Sequence, residues 1–449
     1  MMFDHCQSPV TLSKAESLQN WNAMIHAFLA HGTQTPQHLG TLLQAEPDFA
    51  MGHAARGLFS LMMGRAEMVV AAREALTDAE RARAAGPVTR REALWIIALQ
   101  KWLDQRPSGA IAAMEEVLDT HPTDTLSAKV SHAIRFILGD VTGMRRSVER
   151  VMPAHSDNHA FRGFLLGCHA FALEETGEFA AAEKAGREGL ELAGDDAWGL
   201  HAVAHVYDMT ARSDAGIALI SENKSAWDHC NNFRYHVWWH KALLHMDRGE
   251  FDVALGLYDA QIRAEKTDDY RDISNATSLL SRLELEGIEV GKRWEELANL
   301  SERRIDDGCV VFADLHYMLA LAGANRPAAR TAMAARFARD AARNGDMPQR
   351  YAQPGMAAVS GLNAFAEGRY DAAFADLLNA RPDLQTIGGS HAQRDVFERI
   401  TIDAGIRAGR YDEAHNLLSQ RMALRAGAAD RFTASRMDNI AAMQQIPAQ

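Results

Sequence analysis

The sequence predicts an all-α protein in which helix-turn-helix units stack into an α-solenoid. Alanine and leucine are abundant among its 449 residues, and runs of the strand-favouring residues Val, Ile and Thr are scarce. Glycine breaks between amphipathic segments recur with a period of about 34 to 45 residues, which is typical of helical repeats. Units of this size cannot bury their apolar faces alone, so neighbouring units are expected to share a continuous core.

The repeats are clearest where a short turn leads into an amphipathic second helix. The best units are GEFAAAEKAGREGLEL, GEFDVALGLYDAQI, GRYDAAFADLLNA and GRYDEAHNLLSQR. The breaks lie at Gly64, Gly139, Gly177, Gly249, Gly287, Gly323, Gly368 and Gly409. This spacing predicts about ten units along the chain. The first helices of these units are expected near residues 90–103, 125–138, 159–175, 196–210, 231–247, 271–286, 310–322, 353–366 and 391–407.

The whole chain, 1–449, is therefore interpreted as a single α-solenoid with three parts. Residues 1–158 form degenerate N-terminal repeats, and residues 159–263 form repeats rich in histidine. Residues 264–449 form C-terminal repeats that close a pocket.

Composition and charge argue against several classes of partner, and the cytoplasm is the expected location. The formal net charge of −12 leaves no basic stripe for phosphates or anionic lipids, so neither nucleic acid nor a membrane is an expected partner. No apolar run reaches the length that spans a bilayer. The four cysteines form no C-x-x-C pair, and no apolar leader is present at the N-terminus.

Two histidine pairs are the strongest candidates for function. His201 and His205 occur in HAVAHVYDM, and His236 and His240 occur in HVWWH. Residues spaced i, i+4 share one face of a helix, so each pair can direct two imidazoles to one point. Because the pairs occupy first helices of consecutive repeats, we expect them to be neighbours.

These residue types support acid–base or metal chemistry. Imidazole is the usual general base near neutral pH and the commonest metal ligand, and a carboxylate such as Asp208 can orient it. Four imidazoles together with Asp272 or Asp314 could hold a transition metal. H-x-x-x-H without the adjacent Glu of H-E-x-x-H is a weak metal motif, so histidines that simply hydrogen-bond within a helical core are the alternative.

The segment GGSHAQRDVFER predicts a helix start that carries an arginine. Ser390 is expected to be the N-cap, followed by Gln393, Arg394 and Asp395 in the first turn. Arg394 can bind a carboxylate or phosphate bidentately. Internal pairing of Arg394 with Asp395 or Asp272 is the favoured interpretation, and recognition of a substrate anion is the alternative.

Five segments resemble the tetratricopeptide repeat protein 38 family. They are HAVAHVYDM, HVWWHKALLHMDRGEFDVALGLYD, DISNATSLLSRLELEG, DLHYMLAL and IGGSHAQRDVF, in order over roughly 195–400. The resemblance implies a tetratricopeptide-repeat-like (TPR-like) right-handed superhelix that closes enough to form a pocket. The residues that match the family are His201, His205, His236, Trp239, His240, Asp272, Asp314, His316, Gln393, Arg394 and Asp395. Two positions depart from it, since Asp208 stands where Glu is common and His391 where Asn also occurs.

The resulting hypothesis is a small-molecule enzyme with a His/Asp/Arg pocket, without an organic cofactor. It would be an acid–base hydrolase or lyase on a carbonyl-containing or anionic substrate, with Arg394 stabilising the developing negative charge. The predicted catalytic residues are His201, His205, His236, His240, Asp272 and Asp314. The predicted substrate-binding residues are Trp239, His316, His391, Gln393, Arg394 and Asp395.

Two alternatives remain open. The first is a non-enzymatic TPR scaffold that binds a peptide or protein partner along its concave face. The second is a metal-dependent enzyme or metal-binding protein that holds a divalent ion such as zinc through the four histidines His201, His205, His236 and His240. Self-association into a homodimer is compatible with either.

Overall fold

The computed structural model describes residues 2–444, and this part of the chain is predominantly helical. Two short strands, β1 (Met2–Phe3) and β2 (Pro9–Val10), pair antiparallel. The α-helices are α1 (Ala15–Leu29), α2 (Thr35–Ala45), α3 (Ala50–Leu61), α4 (Ala66–Ala85), α5 (Arg90–Leu103), α6 (Pro107–Thr120), α7 (Thr125–Leu138), α8 (Val141–Val151), α9 (Arg162–Glu175), α10 (Phe179–Leu192), α11 (Ala197–Met209), α12 (Ser213–Glu222), α13 (Phe233–Asp247), α14 (Phe251–Leu257), α15 (Tyr270–Leu285), α16 (Arg293–Arg303), α17 (Val311–Gly323), α18 (Pro327–Ala341), α19 (Asp346–Arg350), α20 (Met356–Ala366), α21 (Tyr370–Ala380), α22 (His391–Arg407), α23 (Tyr411–Leu424) and α24 (Arg431–Gln444). The predicted all-α class with TPR-like helix pairs is confirmed.

Local sequence signals explain where many helices begin and end. Thr89 and Glu92 form a capping box at the start of α5, and the Asp124 side chain caps α7. Gly139 ends α7 in the left-handed conformation, with φ of 67°, which glycine adopts without steric cost. Left-handed glycines likewise follow the helices that end before Gly177, Gly249, Gly287, Gly368 and Gly409.

The break predicted at Gly323 lies two residues further along the chain. Gly323 is the last residue of α17, and Asn325 takes the left-handed conformation instead, with φ of 50°. A Cβ atom at position 323 would lie 2.3 Å from the Trp294 ring. Glycine is therefore required here by the close packing of α17 on α16, and the turn itself is formed by asparagine, which tolerates φ above zero better than most residues.

The chain divides into two compact units. Among the described residues, unit one consists of 2–203, 223–234 and 344–347, and unit two consists of 204–222, 235–343 and 348–444. The boundaries between the units fall inside α11, α13 and α19, so each of these helices has residues in both units.

Unit one is a series of helix pairs in which α1 packs on α2, α3 on α4, α5 on α6, α7 on α8 and α9 on α10. A buried ion cluster fixes its N-terminal segment. The Arg91 guanidinium donates to Asp4 and to Asp124, each at 2.7 Å, and all three side chains are fully buried. Trp21 Nε1 donates to Asp4 at 3.1 Å. Because Asp4 lies in the turn between β1 and β2, this cluster ties the first residues to α5 and α7.

Replacing Arg91 with methionine is expected to lower the free energy of unfolding by about 3–5 kcal/mol, because two buried carboxylates lose their cation. Arg90→Met is the matched control. Arg90 pairs with Glu116 on the surface, where its side chain is 70% exposed, and such pairs contribute about 0–1 kcal/mol. Urea unfolding followed by circular dichroism measures both variants, and equal losses would contradict the account of this cluster.

Unit two also contains successive helix pairs, including α17 with α18, α20 with α21 and α22 with α23. Helix α15 packs against both α17 and α22, so it lies in the interior of the unit. Its residues from Asp272 to Leu283 are all buried, although many of them are polar. This polar interior helix forms one side of the site described below.

No helix within residues 2–444 is both long enough and apolar enough to cross a membrane.

Candidate histidine site

Three histidines of unit two converge in its interior. His205 lies on α11, while His236 and His240 lie one turn apart on α13. They are 0%, 8% and 1% exposed. The i, i+4 spacing places His236 and His240 on the same face of α13, where their rings lie next to each other. The His240 ring also lies next to the His205 ring. The histidine pairs were expected to be neighbours, and these three residues do lie close together.

The ring nitrogens of the three histidines lie close enough to share one ion. One ligating nitrogen from each lies within 4.8 Å of the others. Nε2 of His236 and Nε2 of His240 are 3.1 Å apart. The ring centroids of His205 and His240 are separated by 4.4 Å, and those of His236 and His240 by 4.6 Å.

Burial keeps the imidazoles of His236 and His240 neutral. It lowers the pKa of His236 to about 3, against a smaller opposing effect of the hydrogen bond to Asn275. Burial also lowers the pKa of His240 well below its ordinary value, and His205 and His236 add to this effect. The neutral form is the one that accepts a proton or binds a metal, because a ring nitrogen then has a free lone pair.

His391 approaches the same group from the first turn of α22. Its ring centroid lies 5.6 Å from that of His205, and a ring nitrogen of His391 lies within 4.8 Å of one of His205. The helix that carries it begins with the predicted N-cap. Ser390 Oγ accepts from the Gln393 amide, and the Gln393 side chain accepts from the Ser390 amide, which forms a capping box.

Aromatic and cationic side chains pack around the three histidines. The Trp239 ring stacks on His236 with a centroid distance of 5.2 Å and an interplanar angle of 15°. Arg282 of α15 lies over the Trp239 ring, 5.4 Å from its centroid. Arg282 is buried and donates to the Ala392 carbonyl at 2.6 Å. Burial and the nearby Arg399 lower its pKa to about 9, so the guanidinium stays charged at neutral pH.

His201 belongs to unit one, where it lies in an aromatic cluster. Its ring stacks on Phe171 with a centroid distance of 5.6 Å. The centroids of Trp198 and Phe233 lie 5.0 and 5.2 Å from it. In unit one His201 is therefore packed among apolar rings.

Asp272, predicted to be catalytic, lies in the first turn of α15. Its carboxylate accepts from the Thr267 hydroxyl. Burial and the neighbouring Asp269 raise its pKa to about 7.

Asp314 and His316, also predicted site residues, both lie on α17 and are buried. The Asp314 carboxylate is 2.8 Å from Arg336 and accepts from the Tyr351 hydroxyl. Burial raises its pKa, and Arg336 opposes this. His316 Nδ1 donates to the Phe312 carbonyl at 2.7 Å, and burial lowers the pKa of His316 to about 3.

Arg394 and Asp395 are both engaged within unit two. The Arg394 guanidinium donates to the Gly389 carbonyl. Asp395 accepts from Arg399 and from Arg421, each at 2.6 Å. Burial alone would raise the pKa of Asp395, but Arg421 and Arg399 hold it well below its usual range. Internal pairing of Asp395 thus joins α22 to α23.

A narrow cavity lies beside Arg282 in unit two. Its volume of about 20 Å³ holds about one water molecule. Small-molecule sites usually enclose about 300–1,000 Å³. Its lining residues are Asp208, Leu243, Met246, Asp247, Phe251, Arg282, Glu286, Ala392, Asp395, Arg399, Asp430, Arg431 and Phe432.

Sequence reasoning did not single out Asn275, which contacts the site directly. Asn275 Oδ1 lies 2.9 Å from Nδ1 of His236, and the residue is 2% exposed. A signal was present, because Asn275 lies in DISNATSLL, where Ser, Asn and Thr fill positions of a helix that is otherwise apolar. Buried polar residues of this kind require partners, and the partner of Asn275 is a site histidine.

Fold and site together define an all-α, TPR-like helical-repeat protein with a buried histidine cluster. No model of a known protein family matches the chain. It is similar to the structure of a human IFIT1 dimer with m7Gppp-AAAA, at 12% sequence identity and a TM-score of 0.42, over 97% of this chain and 96% of that one. It is also similar to a chain in the structure of Naa15/Naa10 bound to HypK-THB, at 11% identity and a TM-score of 0.25, over 96% of this chain and 66% of that one. Similarities at this level bear on no function of the present chain.

Proposed function

We propose that this protein is a metal-binding helical-repeat protein whose ion is held by His205, His236 and His240. The observation that carries the proposal is the convergence of three buried imidazoles, with one ligating nitrogen of each within 4.8 Å of the others. An ion held between them would be within reach of one nitrogen of each ring. We propose His391 as a fourth ligand, because one of its ring nitrogens lies within 4.8 Å of one of His205.

The spacing of the nitrogens suits a tetrahedral ion. Two zinc–nitrogen bonds of about 2.0–2.1 Å at a tetrahedral angle place their nitrogens about 3.3 Å apart. The two Nε2 atoms of His236 and His240 are 3.1 Å apart. A hydrogen bond between the same two atoms is the metal-free alternative, so the measurement of bound metal decides between them.

The donor set favours a transition metal over magnesium or calcium. Imidazole nitrogen suits Zn²⁺, Cu²⁺, Ni²⁺ and Fe²⁺, whereas Mg²⁺ and Ca²⁺ require oxygen ligands. Neutral imidazoles also bind without losing a proton near neutral pH. Zinc is the ion we propose, because it takes imidazole nitrogens and is almost always four-coordinate in its structural sites.

A binding or structural role of the ion fits the surroundings better than acid–base catalysis. Asp314 and Asp395 form ion pairs with arginines. The cavity beside Arg282 has room for about one water molecule. The predicted hydrolase or lyase therefore stays a hypothesis. We further propose membership of the tetratricopeptide repeat protein 38 family, on the five matching segments, and a cytoplasmic location.

The test is the metal content of untagged protein purified without chelator, measured by mass spectrometry. We expect close to one zinc per wild-type chain and none in the variant His236→Ala/His240→Ala. His245→Ala is the matched control, because His245 lies on the same helix but pairs with Glu250. Metal-free wild type that also fails to take up added zinc would contradict the proposal, as would equal zinc in the double variant.

A second candidate function is that of a scaffold for a peptide partner, and an open groove in unit one favours it. The groove has a volume of about 560 Å³ and is lined by side chains of both charges, among them Glu149, Asp157 and Arg162. Asp157 is 95% exposed and lies 3.5 Å from Arg162, so a basic ligand would compete with Arg162 for this carboxylate. Peptides selected on the wild-type protein should lose binding to an Asp157→Lys/Glu149→Lys variant. Failure to select any, or equal binding to the variant, would contradict this role.

A further inference from the structure

We propose that Asn275 is a positioning residue of the metal site, and that it sets which nitrogen of His236 binds the ion. This inference rests on the proposed metal binding by His205, His236 and His240. Asn275 itself provides no ligand. It acts by accepting the Nδ1 hydrogen of His236, so that the Nε2 lone pair is the one presented to the ion.

The contact has the geometry of a supporting hydrogen bond to a ligand histidine. Asn275 Oδ1 lies 2.9 Å from His236 Nδ1, on the side of the ring opposite to the Nε2 that faces His240. A neutral imidazole carries a single ring hydrogen. With that hydrogen donated to Asn275, Nε2 carries no hydrogen, which is the form that coordinates a metal.

Without this acceptor, the other tautomer of His236 gains population. Its hydrogen would then lie on Nε2 and point at Nε2 of His240, 3.1 Å away, where the ion is expected. Metal binding would first have to move that hydrogen. Loss of such a supporting partner typically lowers metal affinity by about 10- to 100-fold.

The amide group of Asn275 indicates that this residue does not stabilise the folded protein. Asn275 Nδ2 is buried and has no hydrogen-bond partner within residues 2–444. An orphaned buried donor destabilises a folded protein, and an apolar side chain of similar size would avoid this cost. Asparagine at this position is thus better explained by its contact with His236 than by packing of α15.

Either an amide or a carboxylate at position 275 can accept the Nδ1 hydrogen of His236, and the charge of the ion favours a carboxylate. Three neutral imidazoles leave the full charge of a divalent ion uncompensated, and a carboxylate behind one of them would offset part of it. Aspartate has the shape of asparagine and can only accept, so Asn275→Asp retains the contact and cannot present a donor to Nδ1 while ionised. Comparing Asn275→Asp with Asn275→Leu therefore separates the acceptor function from the volume of the side chain.

The experiment compares zinc affinity and metal-free stability in four full-length proteins: wild type, Asn275→Leu, Asn275→Asp and Ser274→Ala. Zinc affinity is measured by competition with a chromophoric chelator, and stability by thermal unfolding in excess chelator. We expect Asn275→Leu to bind zinc about 10- to 100-fold more weakly while its metal-free melting temperature is unchanged or higher. Asn275→Asp should bind at least as tightly as wild type. Ser274→Ala, the control at a neighbouring buried residue, should bind like wild type.

The outcomes separate this inference from the proposed function. Wild-type protein that fails to bind zinc overturns the metal site itself. Wild type that binds zinc, with Asn275→Leu binding equally well, overturns only the role of Asn275. Should the leucine variant not fold, Asn275→Ala, which adds no bulk, replaces it with the same expected loss of affinity.

Discussion

Arg421→Met is expected to lower the free energy of unfolding of unit two by about 1.5–3 kcal/mol, because the buried carboxylates Asp395 and Asp430 lose one of their guanidinium partners and keep Arg399. Arg421 is 4% exposed and lies between two acids. Its Nε donates to Asp395 at 2.6 Å, and its Nη2 donates to Asp430 at 2.7 Å. Nη1 also donates to Thr433 at 2.8 Å. One guanidinium thus joins α22, α23 and the start of α24.

The loss should depend on pH in a defined direction. The pKa values of Asp395 and Asp430 are lowered in the folded protein, chiefly by Arg421 acting against burial. A carboxylate with a lowered folded-state pKa stabilises the protein above its unfolded pKa of about 4, and this contribution is lost as pH falls. The difference between wild type and Arg421→Met should therefore shrink as the solution is acidified below that value.

Urea unfolding at neutral and acidic pH tests both statements. Arg410→Met is the control, since Arg410 pairs with Asp371 on the surface and its side chain is 50% exposed. Surface pairs of this kind contribute about 0–1 kcal/mol. A loss in Arg421→Met no larger than that of the control, or one that grows on acidification, would contradict the account.

Zinc is expected to stabilise the wild-type protein by about 4 kcal/mol when free zinc exceeds the dissociation constant a thousandfold. The physical reason is mass action, because the ligand set from α11 and α13 is assembled only in the folded state. Thermal unfolding with and without zinc measures the effect, and His236→Ala/His240→Ala is expected to show none. An equal shift in both proteins would place the stabilising ion elsewhere.

Helices were predictable from the sequence because their signals are local. The periodicity predicts a helix over 125–138, and α7 spans Thr125–Leu138. It also predicts one over 231–247, and α13 spans Phe233–Asp247. The spacing of His236 and His240 likewise needs only the geometry of one helix. These features depend on residues within a few turns of one another.

The surroundings of the site were not predictable, because they depend on how distant helices pack. Asn275 meets His236 across 39 positions of sequence, and Tyr351 meets Asp314 across 37. The sequence shows Asp314 as a carboxylate in a motif, and only the fold shows that Arg336 already neutralises it. For the same reason sequence alone could not separate an acid–base pocket from a metal site.

The most direct test of the metal site is X-ray absorption spectroscopy at the zinc edge of the purified, zinc-loaded protein. The account predicts three or four nitrogen ligands at about 2.0–2.1 Å, with the outer-shell scattering of imidazole rings, and its loss in His236→Ala/His240→Ala. A spectrum dominated by oxygen or sulfur ligands, or one unchanged in the double variant, would contradict the assignment of His205, His236 and His240 as the metal site.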